Sequence, residues 1–291
     1  MKRLTLFSLT LLVLFFSGCA QNKKDFVVTI STPYGEMVAL LYDETPKHKA
    51  NFIELAKKNY FDSLLFHRVI ESFMIQGGDP NSKNAEPGQP LGNGGPGYEV
   101  DAEINSKYFH KKGALSAARR PDSGNPEKKS SGSQFYVVQG KTMSAEEIAQ
   151  MEQGVRYQRK NQNLGTVLRL PECADIREQV IDQQKANNVE WLQSFFENCD
   201  TLIQKHIPDY RDFAFSDEQR KAYEEVGGAP HLDAEYTVFG QVIKGLDIID
   251  KIAEQPVGAG DRPQDDIRMK ITVEEMSRKK IEKQYGYTYP D

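Results

Sequence analysis

Phe66-His67-Arg68-Val69-Ile70-Glu71-Ser72-Phe73-Met74-Ile75-Gln76-Gly77-Gly78-Asp79 is the stretch on which the reading of this chain turns. Its two β-rich runs, Leu64–Val69 and Phe73–Gly77, read as strands joined at Glu71-Ser72. Alternation along the second strand places Phe73 with Ile75 and Met74 with Gln76 on opposite faces, and the bend folds Arg68 back toward them. A cation, an amide and large apolar side chains are thereby gathered in one place.

The same texture continues on both sides. Phe26–Ile30 and Met37–Tyr42 flank Thr32-Pro33-Tyr34-Gly35 as a hairpin. Thr45-Pro46 opens a helix whose apolar face, Ala50, Phe52, Ile53, Leu55 and Ala56, runs to about Lys58. Leu115–Ala118, Gln134–Val138, Tyr236–Val242 and Ile267–Val273 are further strand candidates. Many short strands with Gly-rich connections predict a mainly β fold, a closed or nearly closed antiparallel barrel.

Residues 141–228 break this pattern. Ser144-Ala145-Glu146-Glu147 is a capping box, followed by Ile148, Met151 and Val155 at helical spacing. A second helical stretch starts after Pro171 with Ile176, Val180 and Ile181, then Leu192, Phe195, Phe196, Cys199, Leu202 and Ile203. The expected organisation is a barrel domain from 25–140 and 229–278, a helical insertion at 141–228, and a C-terminal tail at 279–291. The barrel segments alone make a sensible single-domain length. Arg278-Lys279-Lys280 and Lys283 read as a solvated helix end.

Lys+Arg total 37 against 42 Asp+Glu, a net charge of −5, so no basic excess points to nucleic acid. The five His have neither an i,i+4 pair nor a Cys at ligand spacing, and neither metal nor cofactor is expected. Gly92–Gly97 lacks a following Gly-Lys-Ser/Thr and reads as a loop, not a phosphate cradle. No nucleophile, base and orienting acid recur in a recognisable motif, which disfavours a hydrolase.

Lys2 and Arg3 precede an apolar run, Leu4 to Phe16, too short for the ~20 residues of a spanning helix. Residues 1–18 therefore read as a signal peptide. Phe16-Ser17-Gly18-Cys19 resembles a bacterial lipobox, with Phe16 where Leu is commonest, and implies cleavage before Cys19 and lipid attachment to it. Plain secretion with a free Cys is the alternative. Residues 19–25 would then be a tether of at most about 25 Å, holding the domain at a membrane of the bacterial envelope, facing the periplasm.

The other two cysteines, Cys173 and Cys199, both fall in the insertion. On one continuous helix they would stand about 39 Å apart and could not pair. A disulfide requires a reversal, for which Lys185-Ala186-Asn187-Asn188 is the candidate. Export keeps the disulfide open; buried thiols are the other reading.

The ordered motifs FHRVI, FMIQGGD, GNG at 92–94, GSQFYV at 132–137, HLD at 231–233 and TVFG at 237–240 together resemble a cyclophilin-type peptidyl-prolyl isomerase. The resemblance implies an eight-stranded barrel capped by two helices, with a substrate groove on its outer face. Arg68 takes the place of the family's catalytic Arg, with Phe73 and Gln76 beside it. Met74, Ala118, Gln134 and Leu232 fall on groove positions and keep the family's residue types. Tyr136 stands where Phe is usual, Tyr236 where His is usual, and Arg119 where Asn is common. His231 replaces the Trp associated with tight cyclosporin binding, which implies weak inhibition by that drug. The expected partners are unfolded or proline-containing exported polypeptides, with an unknown partner open for the insertion.

The chemistry suits these residue types. Rotation about an Xaa-Pro bond breaks amide resonance across a barrier of ~18–20 kcal/mol, with no proton transfer and no bond cleavage. The planar amide is more charge-separated than the twisted one, so moving it out of water lowers the barrier, and Phe73, Met74, Tyr136 and Leu232 form an apolar seat. In the twisted state the prolyl nitrogen regains a lone pair to which Arg68 donates. Such a charge-assisted bond is worth ~1.5–3 kcal/mol, one to two decades of rate, and the groove must supply the rest. Gln76 is expected to orient Arg68. Gln134 and the backbone near Ala118 are expected to hold the residues before proline. His67, one place from Arg68, is read as structural because the reaction needs no proton shuttle. The other reading is a proline-peptide-binding chaperone or scaffold with little turnover.

Overall fold

The computed structural model describes residues 23–289. The expected signal peptide and Cys19 lie outside them. Strand β1 (Lys24–Thr32) turns through Pro33-Tyr34 into β2 (Gly35–Leu41), in register from Val27 opposite Leu40 to Thr32 opposite Gly35. Helix α1 (Pro46–Lys57) follows, with Pro where a missing N–H costs least. The amides of Lys47 and His48 at its start donate to the Glu103 carboxylate at 3.0 and 2.9 Å, satisfying two groups that have no partner within the helix.

Next come β3 (Phe66–Ile70), β4 (Met74–Gly77), the short β5 (Glu99–Val100), β6 (Ala114–Arg119) and β7 (Ser130–Val138). The insertion holds α2 (Ala145–Leu168), α3 (Ala174–Lys185), α4 (Val189–Asn198), α5 (Asp200–His206) and α6 (Asp217–Glu225). The chain then completes the barrel with β8 (Val238–Lys244), α7 (Leu246–Ala253) and β9 (Lys270–Ser277), and ends on α8 (Arg278–Tyr285).

Eight strands run in the antiparallel order β3-β4-β7-β6-β8-β2-β1-β9, with β5 pairing β7 at the side. The two ends of this path meet through Ser63 N to Met269 O, Met269 N to Leu64 O and Phe66 N to Ile267 O at 2.8–2.9 Å, which curls the sheet into a barrel. Inward residues of alternate positions fill it: Val28 and Ile30, Met37 and Ala39, Ile75, Leu115, Phe135 and Val137. Phe52 of α1 stops one end, its ring 4.9 Å from Phe61 and 5.4 Å from Phe135. Ile248, Ile249 and Ile252 of α7 pack into the same core.

The region 279–291, expected to be a tail, is instead part of the folded body as far as it is described. Val27, Val38 and Leu40 point out of the barrel and would be left wet; Ile281 of α8, itself fully buried, covers them with Met276.

The insertion leaves and rejoins the barrel at a glycine contact. Gly140 has φ +65°, and a Cβ there would lie 2.3 Å from Gly228 Cα, so the two ends of the insertion approach closer than side chains permit. The Ser144–Glu147 capping box forms as its sequence predicts. The chain also reverses after Lys185, where Asn187 takes φ +53°, so α3 and α4 are separate helices. Even so, Cys173 and Cys199 are buried, free thiols. Cys173 Sγ lies 3.4 Å from His206 Nε2, and Cys199 Sγ donates to Phe196 O at 3.1 Å, so each has a separate partner.

Candidate active site

The site lies on the outer face of β3, β4, β7 and β6. Register brings Arg68 opposite Gln76, Gln76 opposite Tyr136, and Tyr136 opposite Ser116. Since Val69, Ile75, Phe135 and Val137 fill the barrel, their neighbours Arg68, Met74, Gln76 and Tyr136 face outward. The turn between β3 and β4 is held by Ser72, at φ +62°, whose N–H donates to Gln139 Oε1 at 2.6 Å. Met74, Tyr136, Val138, Leu232 and Val238 make a second apolar cluster there, with Phe73, Ala118 and Tyr236 packed on it.

This cluster floors a cavity of about 440 Å³. Arg68, Phe73, Met74, Gln76, Ala118, Arg119, Tyr136, Leu232 and Tyr236, all expected from the sequence, line it. Gln134 lines an adjoining cavity of about 660 Å³, which shares Gln76, Ala118 and Arg119 with the first. His231 stands beside the site, its ring 5.2 Å from that of Phe73.

Two expected contacts differ. Gln76 does not orient Arg68, because its Nε2 donates to Gln134 Oε1 at 3.1 Å. Arg68 Nε instead donates to Asp261 Oδ2 at 3.3 Å. Gln134 is itself committed, its Nε2 donating to Gly92 O and Gly94 O at 2.9 and 2.7 Å, so its amide braces the glycine loop. Gln76, Gln134 and the carbonyls of Gly92 and Gly94 thus form one hydrogen-bonded chain, and Arg68 stands outside it.

The cations that line the cavity differ in exposure. The Arg68 side chain is 42% exposed, while Arg119 is 5% exposed and lies with its guanidinium 4.5 Å above the Tyr236 ring. Arg119 donates to Glu235 O at 2.9 Å and pairs with Asp122. His67 is buried, with no hydrogen-bond partner for either ring nitrogen among the described residues, and burial pushes its pKa down, so it stays neutral beside Arg68. Burial likewise lowers the His231 pKa and raises that of the Tyr136 hydroxyl well above its ordinary value. Among the described residues, no Ser, Thr, Cys, Asp or Glu lines the 440 Å³ cavity. The surface therefore presents an apolar patch beside guanidinium groups.

The family description "Cyclophilin type peptidyl-prolyl cis-trans isomerase/CLD" matches residues 27–183 and 216–274, well over half of the chain. The chain belongs to the cyclophilin-type peptidyl-prolyl cis-trans isomerases. A Staphylococcus epidermidis protein named for peptidyl-prolyl cis-trans isomerase activity is 30% identical to this cyclophilin over 253 residues, which is 85% of this chain and 91% of that protein. A Staphylococcus aureus protein of the same name is 30% identical over 250 residues, again 85% and 91%. A Streptococcus pyogenes protein named as a bifunctional phosphatase/peptidyl-prolyl cis-trans isomerase is 30% identical over 243 residues; the chain spans only 37% of its length. In fold, a cyclophilin-type isomerase of Cryptosporidium parvum superposes with a TM-score of 0.50 at 20% identity, covering 87% of this chain and 98% of that one.

The cyclophilin groove also includes residues that carry no motif in the sequence. Gln89, Pro90, Leu91 and Gly92 form one wall, and Ala259, Gly260 and Arg262 another. The first wall leads into the glycine-rich run Gly92–Gly97 that reads as a plain loop, and Gln89, Pro90 and Leu91 just before it carry no signal of their own. The second has a turn signal in Gly258-Ala259-Gly260 but nothing to tie it to Arg68. His110, which bears on Tyr136 from below, is a lone His in sequence.

Proposed function

We propose that this cyclophilin accelerates rotation about Xaa-Pro bonds by seating the prolyl ring on Phe73, Met74, Tyr136 and Leu232 while Arg68 donates to the prolyl nitrogen in the twisted state. The observation that carries it is the half-exposed Arg68 side chain in one cavity with the apolar patch of Phe73, Met74, Tyr136 and Leu232, a cavity that, among the described residues, no Ser, Thr, Cys, Asp or Glu lines. Transfer out of water disfavours the charge-separated planar amide, and the cation favours the nitrogen lone pair that appears on twisting. Exchange of a short Xaa-Pro peptide, followed by NMR, tests the assignment. Arg68→Ala should lower kcat/KM by about one to two decades, the worth of a charge-assisted hydrogen bond. Unchanged activity removes Arg68 from the mechanism, and tight peptide binding without faster exchange favours a binding module.

The natural substrates, on this proposal, are unfolded or partly folded proline-containing chains exported to the bacterial envelope. The lipobox-like Phe16-Ser17-Gly18-Cys19 after a short apolar run supports it. Lipid on Cys19 would hold the groove near a membrane; no helix among the described residues is long and apolar enough to span one. Labelling of cells with a clickable fatty acid should mark the protein, and Cys19→Ser should abolish the mark and release the protein from the membrane fraction. A labelled Cys19→Ser protein rejects the anchor.

A further inference from the structure

A buried hydrogen-bonded relay runs from the helical insertion to the groove floor. Asp233 Oδ1 accepts from both the amide and the Nδ1 of His110 at 2.9 Å. His110, with no exposed surface, places its Nε2 3.0 Å from the Tyr136 hydroxyl. The other oxygen of Asp233 faces the insertion: Oδ2 accepts from the Tyr223 hydroxyl and, at 3.2 Å, from Gln219 Nε2, both on α6. Arg159 of α2 donates to the Asp233 carbonyl at 3.2 Å.

A carboxylate only accepts, so the proton of a neutral His110 sits on Nδ1 and its Nε2 is left to accept from Tyr136. The hydroxyl that Tyr136 carries into an apolar floor thereby finds its partner; without one, a buried hydroxyl costs about 1–3 kcal/mol. Asp233 also follows Leu232 directly in the chain, so it adjoins a second residue of the floor. Every acceptor of the carboxylate is used, half by the barrel and half by α6, and a change on α6 reaches Tyr136 through only two residues.

We infer that His110 and Asp233 are positioning residues for Tyr136, and that Tyr223 and Gln219 of the insertion set the geometry of the prolyl seat through them. The inference rests on the groove reading above. A double-mutant cycle tests it, with kcat/KM for a short Ala-Pro peptide measured per folded molecule. Tyr223→Phe should lower kcat/KM by at least about twofold when Tyr136 is present, the lower end of coupling within one hydrogen-bond network. It should have no effect in a Tyr136→Phe background, where the relay no longer reaches the groove. An equal loss in both backgrounds means that Tyr223 merely supports the fold and overturns the proposal. Should Tyr223→Phe fail to fold, Gln219→Ala repeats the cycle. Nitrogen NMR of His110 gives an independent reading: protonated Nδ1 and an accepting Nε2 that shifts on Tyr136→Phe are expected, and a proton on Nε2 of a neutral ring overturns the relay. Arg68→Ala, assayed in parallel, separates the two claims. Loss there with additive Tyr223 and Tyr136 effects rejects the relay alone, whereas unchanged activity there rejects the groove reading and leaves the NMR result standing.

Discussion

Arg68 Nε donates to Asp261 Oδ2 across 3.3 Å, tying β3 to a turn 193 residues further along the chain. The bond takes the Nε–H of the guanidinium, and the same side chain lines the 440 Å³ cavity. Both side chains are nearly half exposed, 42% and 45%, so the pair is worth about 1 kcal/mol or less.

Asp261→Asn should therefore lower kcat/KM for an Xaa-Pro peptide by no more than about fivefold, the rate equivalent of ~1 kcal/mol. Arg68→Ala should cost much more. The ratio of the two separates orientation from donation. A gain in activity for Asp261→Asn would mean that Asp261 competes with substrate for the cation instead of aiming it.

How far such a site was legible follows from where its information lies. Met74, Gln76 and Tyr136 belong to short strands whose alternation is a local property, and the sequence places them together; Phe73, expected on the Ile75 face, lies instead in the turn before β4, free of that alternation, and lines the cavity beside Met74 and Gln76. Pro46 and Ser144–Glu147 mark helix starts by local backbone chemistry, and both helices begin there. Asp261 and the His110–Asp233 pair are different: the partners lie 193 and 123 residues apart, and no local rule joins them. Strand register sets Gln76 opposite Arg68 but does not show that this amide is already engaged by Gln134, so the expected Gln76–Arg68 contact is replaced by one to Asp261. Helix α7, the second of the two capping helices, starts without a side-chain cap or a Pro, so no local signal marks its position. The covering role of α8 is invisible until Val27, Val38 and Leu40 are seen to face outward.

Ile281 tests that covering role. It is fully buried against Val27, Val38, Leu40 and Met276 on the outside of the barrel. Ile281→Ala should destabilise the protein by about 2–5 kcal/mol, as for other fully buried large-to-small changes. Lys279→Ala on the same helix, at an exposed position, should change stability by less than about 0.5 kcal/mol. Urea titration of both variants checks this, and equal midpoints would mean that the helix contributes nothing to the fold.

The two thiols of the insertion make a separate prediction. Cys173 and Cys199 are buried and unbonded, and burial raises the Cys199 pKa, which lowers the thiolate fraction that reacts. With Cys19 replaced by Ser, the native protein should react slowly with a maleimide and should take up two labels in denaturant. Export into an oxidising compartment should leave that count unchanged. A count of zero in denaturant would mean that the helices rearrange to bring the two sulfurs into bonding distance.

Stability should fall on mild acidification because of three rings. Burial is the largest cause lowering the pKa values of His48, His67 and His231. Above about pH 6.5, the ordinary His value, folded and unfolded chains both carry these rings neutral. Below it the unfolded chain takes up protons that the folded chain refuses, so stability rises with pH in this window and is lost as the pH falls toward the folded values. The paired carboxylates act lower: Lys107 and Tyr108 hold the Glu44 pKa at about 2, and it stays ionised throughout. The melting temperature should therefore be lower at about pH 5 than at about pH 7.5, each kcal/mol lost moving it by about 2–4 °C in a chain of this size. His67→Gln, which removes the buried ring that has no hydrogen-bond partner, should shrink this difference. A pH dependence that is unchanged in His67→Gln would place the effect on the other two rings, and a melting temperature that rises on acidification would contradict all three.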